Sequence, residues 1–466
     1  MSDATSSSSP ETTPTASLRH NALGLRHAIV ISVAVMSPAA SIFFNTIPQA
    51  GQVGAAIPLC YIIGFVLALL VANQYSEFSR EIPSSGSAYT FVTEGLGQRA
   101  GFITAWIGLI AVALGVPYSF ILLGANLQTL VFRWFGINLH WSFWFVLALG
   151  IAFALCYWGI RESLNVDLTF LAFEIGVCLV LAAIVLLHVG QQGGLTAVPF
   201  TTSTIPQGGD ITVGIVLAVL SFIGFETAAA LGEETRNPHR NIPRAVFGSM
   251  IVVGVFYVLM AYVGTVGYGI NKMVSGYGND PAPFDTIGRI YSGPFFVVLI
   301  DLVGVLSFFG AALAIINAGA RIMYTVGRDG LFPRWVAWLH PTRQTPVGSI
   351  TALCGFGLVI GLILGFVMTP IGAFGFLGTL DALFVLLIYA LVCIASIRFF
   401  WRKGRAHFRL VRHGIIPVLG TLLIVGIFVL LLISPAAPPL NLIPYILLIW
   451  VLIGVGIIFA LRRKIA

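Results

Sequence analysis

Four acidic residues inside long apolar stretches of the chain are candidates for chemistry, because charged side chains are rare in such stretches. They are Glu174, Glu226, Asp301 and Asp381. A charge at the centre of a bilayer costs at least about 2.5–3.5 kcal/mol, so acids at such positions normally face the interior of a helix bundle or a water-filled cavity. A carboxyl group there can exchange a proton, hold a sodium ion or attract a cationic substrate, and the alternative is a structural hydrogen bond. We treat all four as candidates for ion coupling or gating.

Two of the apolar stretches are interrupted near their middle by small or helix-breaking residues. In the first, Ser37 and Pro38 stand within the run 31–44; in the second, Gly224 stands within the run 217–228. Backbone groups freed by such interruptions persist only where they are buried in protein or line a cavity. Paired interruptions in two halves of a chain indicate the midplane binding site of a secondary transporter. The predicted substrate-binding residues are Ser37, Ala39, Ala40, Ser41, Ile42, Leu220, Ser221, Ile223, Gly224, Phe225 and, from the third stretch, Tyr118.

The two interruptions would offer opposite partial charges to a bound molecule. A half-helix that begins near Ser41 presents unpaired N–H groups and the positive end of a helix dipole, which suit a carboxylate. Backbone carbonyls from Leu220 to Ile223 lie at the negative end of the other half-helix and suit an ammonium group. Glu226 directly follows the second interruption. We therefore expect its carboxyl group beside the unwound backbone, where it would act as a proton-linked switch.

The elements that must position these residues are membrane-spanning helices. The chain is 58% hydrophobic and 9% charged, whereas about a quarter of the residues in soluble domains are charged. Apolar runs near the ~20 residues that a bilayer requires recur along the whole length, which predicts an all-α polytopic membrane protein with about twelve transmembrane helices. The provisional spans are 27–50, 53–75, 101–131, 141–160, 165–188, 211–231, 245–268, 292–322, 347–367, 372–397, 414–434 and 441–461.

The positions of the interruptions predict two repeats of five helices, because one falls in the first span and the other in the sixth. Five is odd, so the second repeat is inverted relative to the first. We place the first repeat at 21–190, the inverted second repeat at 208–400, and two peripheral helices with a short cytoplasmic C-terminus at 412–466. Residues 1–20 are rich in Ser, Thr and Pro and are expected to form a disordered cytoplasmic tail.

The positive charges predict the orientation in the membrane. With the N-terminus inside, Arg133, Lys272 and Arg289 are the only ones of the 24 Lys and Arg residues that fall outside. The positive-inside rule therefore predicts cytoplasmic termini, and we expect a cell (plasma) membrane. The net charge of +7 reflects topology rather than a nucleic-acid partner. The five cysteines lie in predicted spans without metal-ligand spacing, so we predict neither a metal site nor a cofactor.

Three polar segments and the second interruption carry a family resemblance. Residues 77–89 read EFSREIPSSGSAY, the run SFIGFE at 221–226 continues into EETRNP at 233–238, and a third segment occupies 321–330. Together they resemble the amino acid–polyamine–organocation superfamily of permeases over nearly everything after residue 20. The resemblance implies a five-plus-five inverted-repeat core with unwound helices 1 and 6. It also implies that Glu226 helps to couple protonation to gating.

The first interruption departs from the pattern of this superfamily. It usually reads G-S-G-I-F, whereas residues 39–43 here read AASIF. Members that carry amino acids use those glycines to expose backbone amides to the substrate carboxylate, and that close approach is reduced here. Some members place a lysine at or near the position of Glu174, where its ammonium replaces a bound sodium ion. A carboxylate could instead hold a sodium ion or a proton.

The sequence therefore predicts a secondary active transporter of a small amine-bearing solute in the lipid bilayer. The favoured function is amino acid uptake coupled to protons, by alternating access. A polyamine or organic-amine permease or exchanger is the main alternative, and a membrane sensor that binds solute without moving it is a remote one. We predict no enzymatic activity, because no nucleophile–base pair, metal cluster or phosphate loop is visible. The oligomeric state is left open.

Overall fold

The computed structural model describes Leu18 and residues 21–403, 408–433 and 439–460. The predicted tail at 1–20 lies outside the described residues apart from Leu18, and so does the end of the chain, 461–466. The α-helices are α1 (Leu25–Met36), α2 (Pro38–Val53), α3 (Ile57–Glu81), α4 (Ala88–Leu96), α5 (Gln98–Phe135), α6 (Trp141–Trp158), α7 (Ile160–Gln191), α8 (Ile211–Ser221), α9 (Pro238–Tyr268), α10 (Pro283–Ser292), α11 (Pro294–Arg328), α12 (Val347–Val367), α13 (Pro370–Arg402), α14 (Ile416–Ile433) and α15 (Ile443–Ala460).

Eleven runs among the described residues are long and apolar enough to cross a membrane, and the first, Leu25–Glu81, is 57 residues long. This run holds two crossings, because the chain bends sharply at Gly54, whose φ is 58°. A Cβ placed on Gly214 of α8 would lie 2.5 Å from Val53 and 2.9 Å from Cys60. In one continuous helix those two residues would be about 10 Å apart. The described residues therefore make the twelve crossings that the sequence predicted.

The order of the helices shows the five-plus-five arrangement. Each half begins with a broken helix, α1–α2 or α8 with the 3₁₀ segment Phe225–Leu231, and continues with a long helix of 25 (α3) or 31 (α9) residues. A short helix outside the apolar runs follows, 9 residues in α4 and 10 in α10. Helices of 38 and 35 residues (α5, α11), 18 and 21 (α6, α12), and 32 and 33 (α7, α13) complete the halves. Five crossings separate α4 from α10, so they lie on opposite faces, called here the α4 face and the α10 face.

The two breaks have local causes in the sequence. Ser37 adopts a left-handed φ of 51° between α1 and α2, and Pro38 then opens α2 at the one helical position where a missing N–H costs nothing. The second half-helix thus begins at Pro38, earlier than the predicted start near Ser41. In the sixth span, α8 ends at Ser221. Gly224 then has a φ of 120°, a backbone conformation that is strained for any residue with a side chain.

The last two helices pack on the outside of the core. Trp106 of α5 stacks on Trp450 of α15 with ring centroids 4.6 Å apart, and its indole N–H donates to the Trp450 carbonyl at 2.9 Å. His413, just before α14, lies 3.1 Å from the Glu77 carboxylate of α3. The runs that contain α14 and α15 are the least buried of the eleven apolar runs, as the prediction of two peripheral helices requires.

Candidate substrate-binding site

The ends of the broken helices meet in the centre of the bundle. A Cβ placed on Gly224 would lie 2.5 Å from Val35 Cγ1 and 3.1 Å from the Met36 amide nitrogen. The hydroxyl group of Tyr257, on α9, lies 2.7 Å from the Met36 carbonyl oxygen and 2.9 Å from the Ser221 carbonyl oxygen. One side chain therefore joins the C-terminal ends of α1 and α8, and the two breaks form a single irregular region.

A cavity of about 340 Å³ lies beside this region, between α1, α2, α5, α8, α11 and α13. It extends toward the α4 face as far as residues 86–89. Toward the α10 face it ends at three aromatic rings: Phe308 lies 5.4 Å from Phe44 and 6.0 Å from Phe374, measured between ring centroids. These three aromatic rings therefore line the end of the cavity that lies toward the α10 face.

The structure brings most, but not all, of the predicted binding residues to this cavity. Among the acids, Glu226 and Asp381 line it, whereas Glu174 and Asp301 do not. Four predicted residues are buried behind its wall: Ala39, Ile42, Gly224 and Phe225. The predicted residues that line it are Ser37, Ala40, Ser41, Tyr118, Leu220, Ser221 and Ile223.

The amide groups at the start of α2 already have partners within the protein. The Ala39 amide is within hydrogen-bonding reach of the Glu174 carboxyl group. The Ala40 amide donates to Ser307 Oγ at 3.2 Å, and the Ser41 amide donates to a carbonyl one turn back at 2.8 Å. The expectation of unpaired N–H groups here is therefore corrected. The reason is that α7 and α11 supply polar side chains that the local sequence of α2 does not reveal.

The carbonyl groups at the end of α8 are partly engaged. The Ser221 carbonyl faces the Tyr257 hydroxyl, and the Leu220 carbonyl accepts from the Ile223 amide at 3.2 Å. In the described part of the chain, the carbonyls of Phe222 and Ile223 accept no hydrogen bond. Since Ile223 also lines the cavity, its carbonyl is an acceptor available to a bound cation. The expectation of four unpaired carbonyls narrows to these two.

Glu226 is held in place at the cavity wall by two donors. Its carboxylate accepts the Gly224 amide at 3.0 Å and the Tyr389 hydroxyl of α13 at 2.5 Å. The Tyr389 ring packs on Phe225 at 5.3 Å and on Tyr75 at 5.8 Å, between centroids. This carboxyl group therefore links the second break to α13, across the cavity.

Asp381 provides a second carboxyl group in the same cavity. It lies on α13, within hydrogen-bonding reach of the Tyr118 hydroxyl of α5, and it interacts electrostatically with Glu226. The eight residues from Asp381 to Tyr389 correspond to about 12 Å along the helix axis. Of the described residues that line the cavity, none is Lys, Arg or His. The cavity therefore has two acidic groups and no positively charged side chain to balance them.

Asp301 lies at the α10 face, in an ion-pair network outside the cavity. Arg133 of α5 reaches both Asp301, at 2.9 Å, and Asp285 of α10, at 3.0 Å. The predicted placement of Asp301 against the pocket is therefore corrected: an arginine from α5 pairs with it at the rim. Burial, and after it the neighbouring Asp301, raise the pKa of Asp285 to about 6 against the opposing effect of Arg133.

On the α4 face, polar contacts join the loops. Arg328 makes two 3.0 Å hydrogen bonds to the Glu233 carboxylate, and the Tyr89 hydroxyl donates to Asp329 at 2.9 Å. Burial raises the pKa of Tyr89, and Asp329 adds to this, so the phenol stays a neutral donor. These bonds connect the end of α11 with the loop after the second break and with α4.

One acid inside a span, Asp167 of α7, was not among the residues predicted for the site. It is fully buried, and neither of its carboxylate oxygens has a hydrogen-bond partner among the described residues. Its spacing could have identified it as a partner of Glu174. Asp167 lies seven residues before Glu174, and seven residues are about two helical turns, so both side chains are on the same face of α7. It falls within the predicted fifth span, 165–188.

Twelve membrane crossings, with two broken helices that meet at a buried cavity, define a multi-pass membrane transporter. The chain belongs to the amino acid permease family, whose sequence model matches residues 23–458. It is 27% identical to the branched-chain amino acid permease BcaP of Bacillus subtilis, over 67% of this chain and 70% of that protein. It is 26% identical to the low-affinity putrescine importer PlaP of Escherichia coli strain K12, over 73% and 76%.

The fold is also found among solved structures. A crystal structure of a mutant manganese transporter from Eremococcus coleocola matches with a TM-score of 0.61 at 13% identity, covering 95% of this chain and 94% of that one. At that identity the likeness concerns the fold alone. From the family and its relatives, the protein is a secondary transporter of amino acids or amines and not an enzyme.

Proposed function

We propose that the protein takes up a small organic amine together with protons, by alternating access between the two faces. The single observation that carries this proposal is the charge of the cavity, which has two carboxyl groups and no positive side chain among its described lining. A charged ligand is stabilised in a low-dielectric site mainly by groups of opposite sign. An ammonium group meets that condition here, and a free carboxylate does not.

The ammonium group has three acceptors within the cavity. Glu226 and the Ile223 carbonyl lie at the second break, and Asp381 lies on α13. Two separated carboxyl groups suit a cargo with two ammonium groups. The similarity to a putrescine importer supports this choice, since putrescine is a diamine.

An amino acid is the second candidate, supported by the similarity to a branched-chain amino acid permease. Its carboxylate would need the amide groups at the start of α2, as the sequence analysis expected. Ser307 accepts the Ala40 amide, and Glu174 lies within hydrogen-bonding reach of the Ala39 amide. An amino acid carboxylate would compete with these side chains for the amides, whereas a cargo without a carboxylate would not.

Protons are the proposed coupling ion, with Glu226 as the proton-linked group. Its two donors, the Gly224 amide and the Tyr389 hydroxyl, belong to the second break and to α13. Loss of its negative charge would weaken both bonds at once and loosen the contact between those elements. We further propose that the termini are cytoplasmic and that the α4 face, where most Lys and Arg residues lie, is the cytoplasmic face of a plasma membrane.

The test is uptake by purified protein in proteoliposomes with an imposed pH gradient and the membrane potential held at zero. Labelled putrescine is competed by amino acids and by the matching decarboxylated amines. We expect the amines to compete at lower concentration than their parent amino acids, and uptake to depend on the pH gradient. Stronger competition by the amino acids would favour the second candidate. Uptake of an amine that is indifferent to pH but stimulated by internal amine would identify an exchanger instead.

Two matched variants test Glu226 directly. Glu226→Gln should lose the pH dependence of uptake, because an amide keeps the shape of the carboxyl group but does not titrate. Asp301→Asn removes a different acid from a span, outside the cavity, and should keep that dependence. Retention of the wild-type pH dependence by Glu226→Gln, at normal protein level, would refute the proposed switch.

A further inference from the structure

A second pair of carboxyl groups lies in the membrane core, apart from the cavity. Asp167 and Glu174 are seven residues apart on α7, about 10 Å along its axis, and they are 0% and 1% exposed. Neither lines the cavity. Both oxygens of Asp167, and Oε1 of Glu174, lack a hydrogen-bond partner among the described residues. Buried polar atoms are rarely left in this state, so these three oxygens point to a bound partner.

The surroundings of the pair lead from the centre of the membrane toward the α4 face. At the inner end, Glu174 is within hydrogen-bonding reach of the Ala39 amide and the Ser307 hydroxyl. One turn along α11, a Cβ on Gly310 would lie 3.5 Å from Asp167 Oδ1, so glycine leaves space beside the carboxylate. One turn before Asp167, Ser163 is bonded to Asn317 at 2.7 Å. A line of polar groups thus runs along the contact between α7 and α11.

The chemistry around Glu174 favours a proton over a metal cation. A sodium ion requires several oxygen ligands, but the nearest backbone group is the Ala39 amide, which is a donor and repels a cation. Ser307 Oγ already accepts the Ala40 amide and lies 3.2 Å from Ser37 Oγ. A carboxyl group in apolar surroundings is stable when it carries a proton.

Other titratable groups lie near the pair, among them His27 of α1, which is within hydrogen-bonding reach of Asn165 on α7. Cys156 of α6 interacts electrostatically with Asp167. Cys178 of α7 and Tyr257 of α9 interact with Glu174. The facing side of α11 presents Gly310 and Ser307 to the two carboxyl groups, neither of which carries a charge.

We propose that Asp167 and Glu174 form a proton pathway that is separate from the substrate cavity and opens toward the α4 face. Glu174 gives up its carboxyl proton to water molecules along the contact between α7 and α11, and the last of these, in the space beside Gly310, gives a proton to Asp167. Asp167 then passes its proton to water on the α4 side. Each transfer breaks one O–H bond and forms another, so Asp167 ends as the carboxylate it was at the start. Glu174 is left as a carboxylate and takes its next proton from water on the α10 side before the following cycle. The inference rests on the proposed proton coupling and adds the route.

The test compares two assays on the same proteoliposomes: accumulation of labelled amine driven by a pH gradient, and counterflow without a gradient. An inside-alkaline gradient of about two pH units allows about 100-fold accumulation at one proton per cargo, since each pH unit is a tenfold ratio. We expect Asp167→Asn to accumulate no cargo above the external concentration while its counterflow stays near that of the wild type. Gly310→Ala, which fills the space beside Asp167 without a clash, should reduce accumulation in the same selective way.

Gly304→Ala is the matched control, because it lies on the same helix and its Cβ would meet nothing within 4 Å. It should behave as the wild type in both assays. Full accumulation by Asp167→Asn would overturn the pathway. Equal loss of both activities in Asp167→Asn and Gly310→Ala would assign the pair a structural role and overturn it as well. A wild type with counterflow but without pH-driven accumulation would refute proton coupling itself, a result distinct from either of these.

Discussion

Replacing Gly224 by alanine tests whether the two breaks must touch. The backbone φ of 120° strains any residue with a side chain, which costs about 1–2 kcal/mol. The new methyl group would also lie 2.5 Å from Val35 Cγ1 and 3.1 Å from the Met36 amide nitrogen. The second contact is with backbone, which cannot turn away, and such overpacking typically costs about 1–3 kcal/mol. The sum, about 2–5 kcal/mol, would push the second break away from the end of α1.

The measurements are the thermal unfolding midpoint in detergent and the rate of counterflow in proteoliposomes. Gly208→Ala is the control, because Gly208 has a φ of 81° but no atom within 4 Å of its Cβ, so it carries the backbone strain alone. We expect Gly224→Ala to lower the midpoint further than Gly208→Ala does, and to lose counterflow that Gly208→Ala keeps. Equal effects of the two substitutions would refute the inference that direct contact of the breaks is needed for transport.

Three further predictions concern charged groups. Arg321 and Glu234 form a 2.6 Å ion pair whose side chains are only 1–2% exposed. Glu234→Gln leaves the buried charge of Arg321 unpaired, so we expect thermal unfolding to show a loss of about 3–5 kcal/mol of stability. A double variant with Arg321→Met should recover most of that loss. Asp381→Asn should raise the KM for amines about tenfold or more with little change in kcat, since a hydrogen bond to a charged group contributes about 1.5–3 kcal/mol; an unchanged KM would remove Asp381 from the site. The pKa of Asp285 is raised from 3.8 to about 6 in the fold, so the stability that its protonated form contributes is fully present below about pH 4 and is lost as the pH rises through about 6. The thermal unfolding midpoint should therefore fall between pH 4 and 7, and Asp285→Asn should not show that fall.

Hydropathy and residue type were sufficient to predict the membrane crossings and both breaks. A run of about twenty apolar residues in a bilayer can satisfy its backbone groups only as a helix. Pro38 and Gly224 interrupt helices through effects that act within one helical turn. The inverted order followed from the count of spans, because an odd number reverses direction. The short helices α4 and α10 were not predicted, since they are too short for the bilayer and only their packing stabilises them.

The partners of the breaks could not be predicted from one sequence, because they come from helices far away in the chain. Ser307 of α11 accepts the Ala40 amide, and Tyr257 of α9 donates to the Ser221 carbonyl. Glu174 of α7 lies within hydrogen-bonding reach of the Ala39 amide. Local sequence shows that a backbone group is freed, but only the fold shows what satisfies it. For the same reason Asp301 was expected at the pocket, although Arg133 pairs with it at the rim.

The first turn of α2 is the element through which proton and cargo would influence one another. On one side, Ser37, Ala40 and Ser41 face the cavity. On the other, the amide of Ala39, within the same turn, faces Glu174. In the proposed mechanism, protonation of Glu174 weakens its attraction for the amide of this turn, because a neutral acceptor binds an amide less strongly than a carboxylate. The wall of the cavity would then move with the charge of a group that the cargo never touches. Glu174 would therefore influence the cavity through one helical turn without touching the cargo, whereas Glu226 acts from the cavity wall itself.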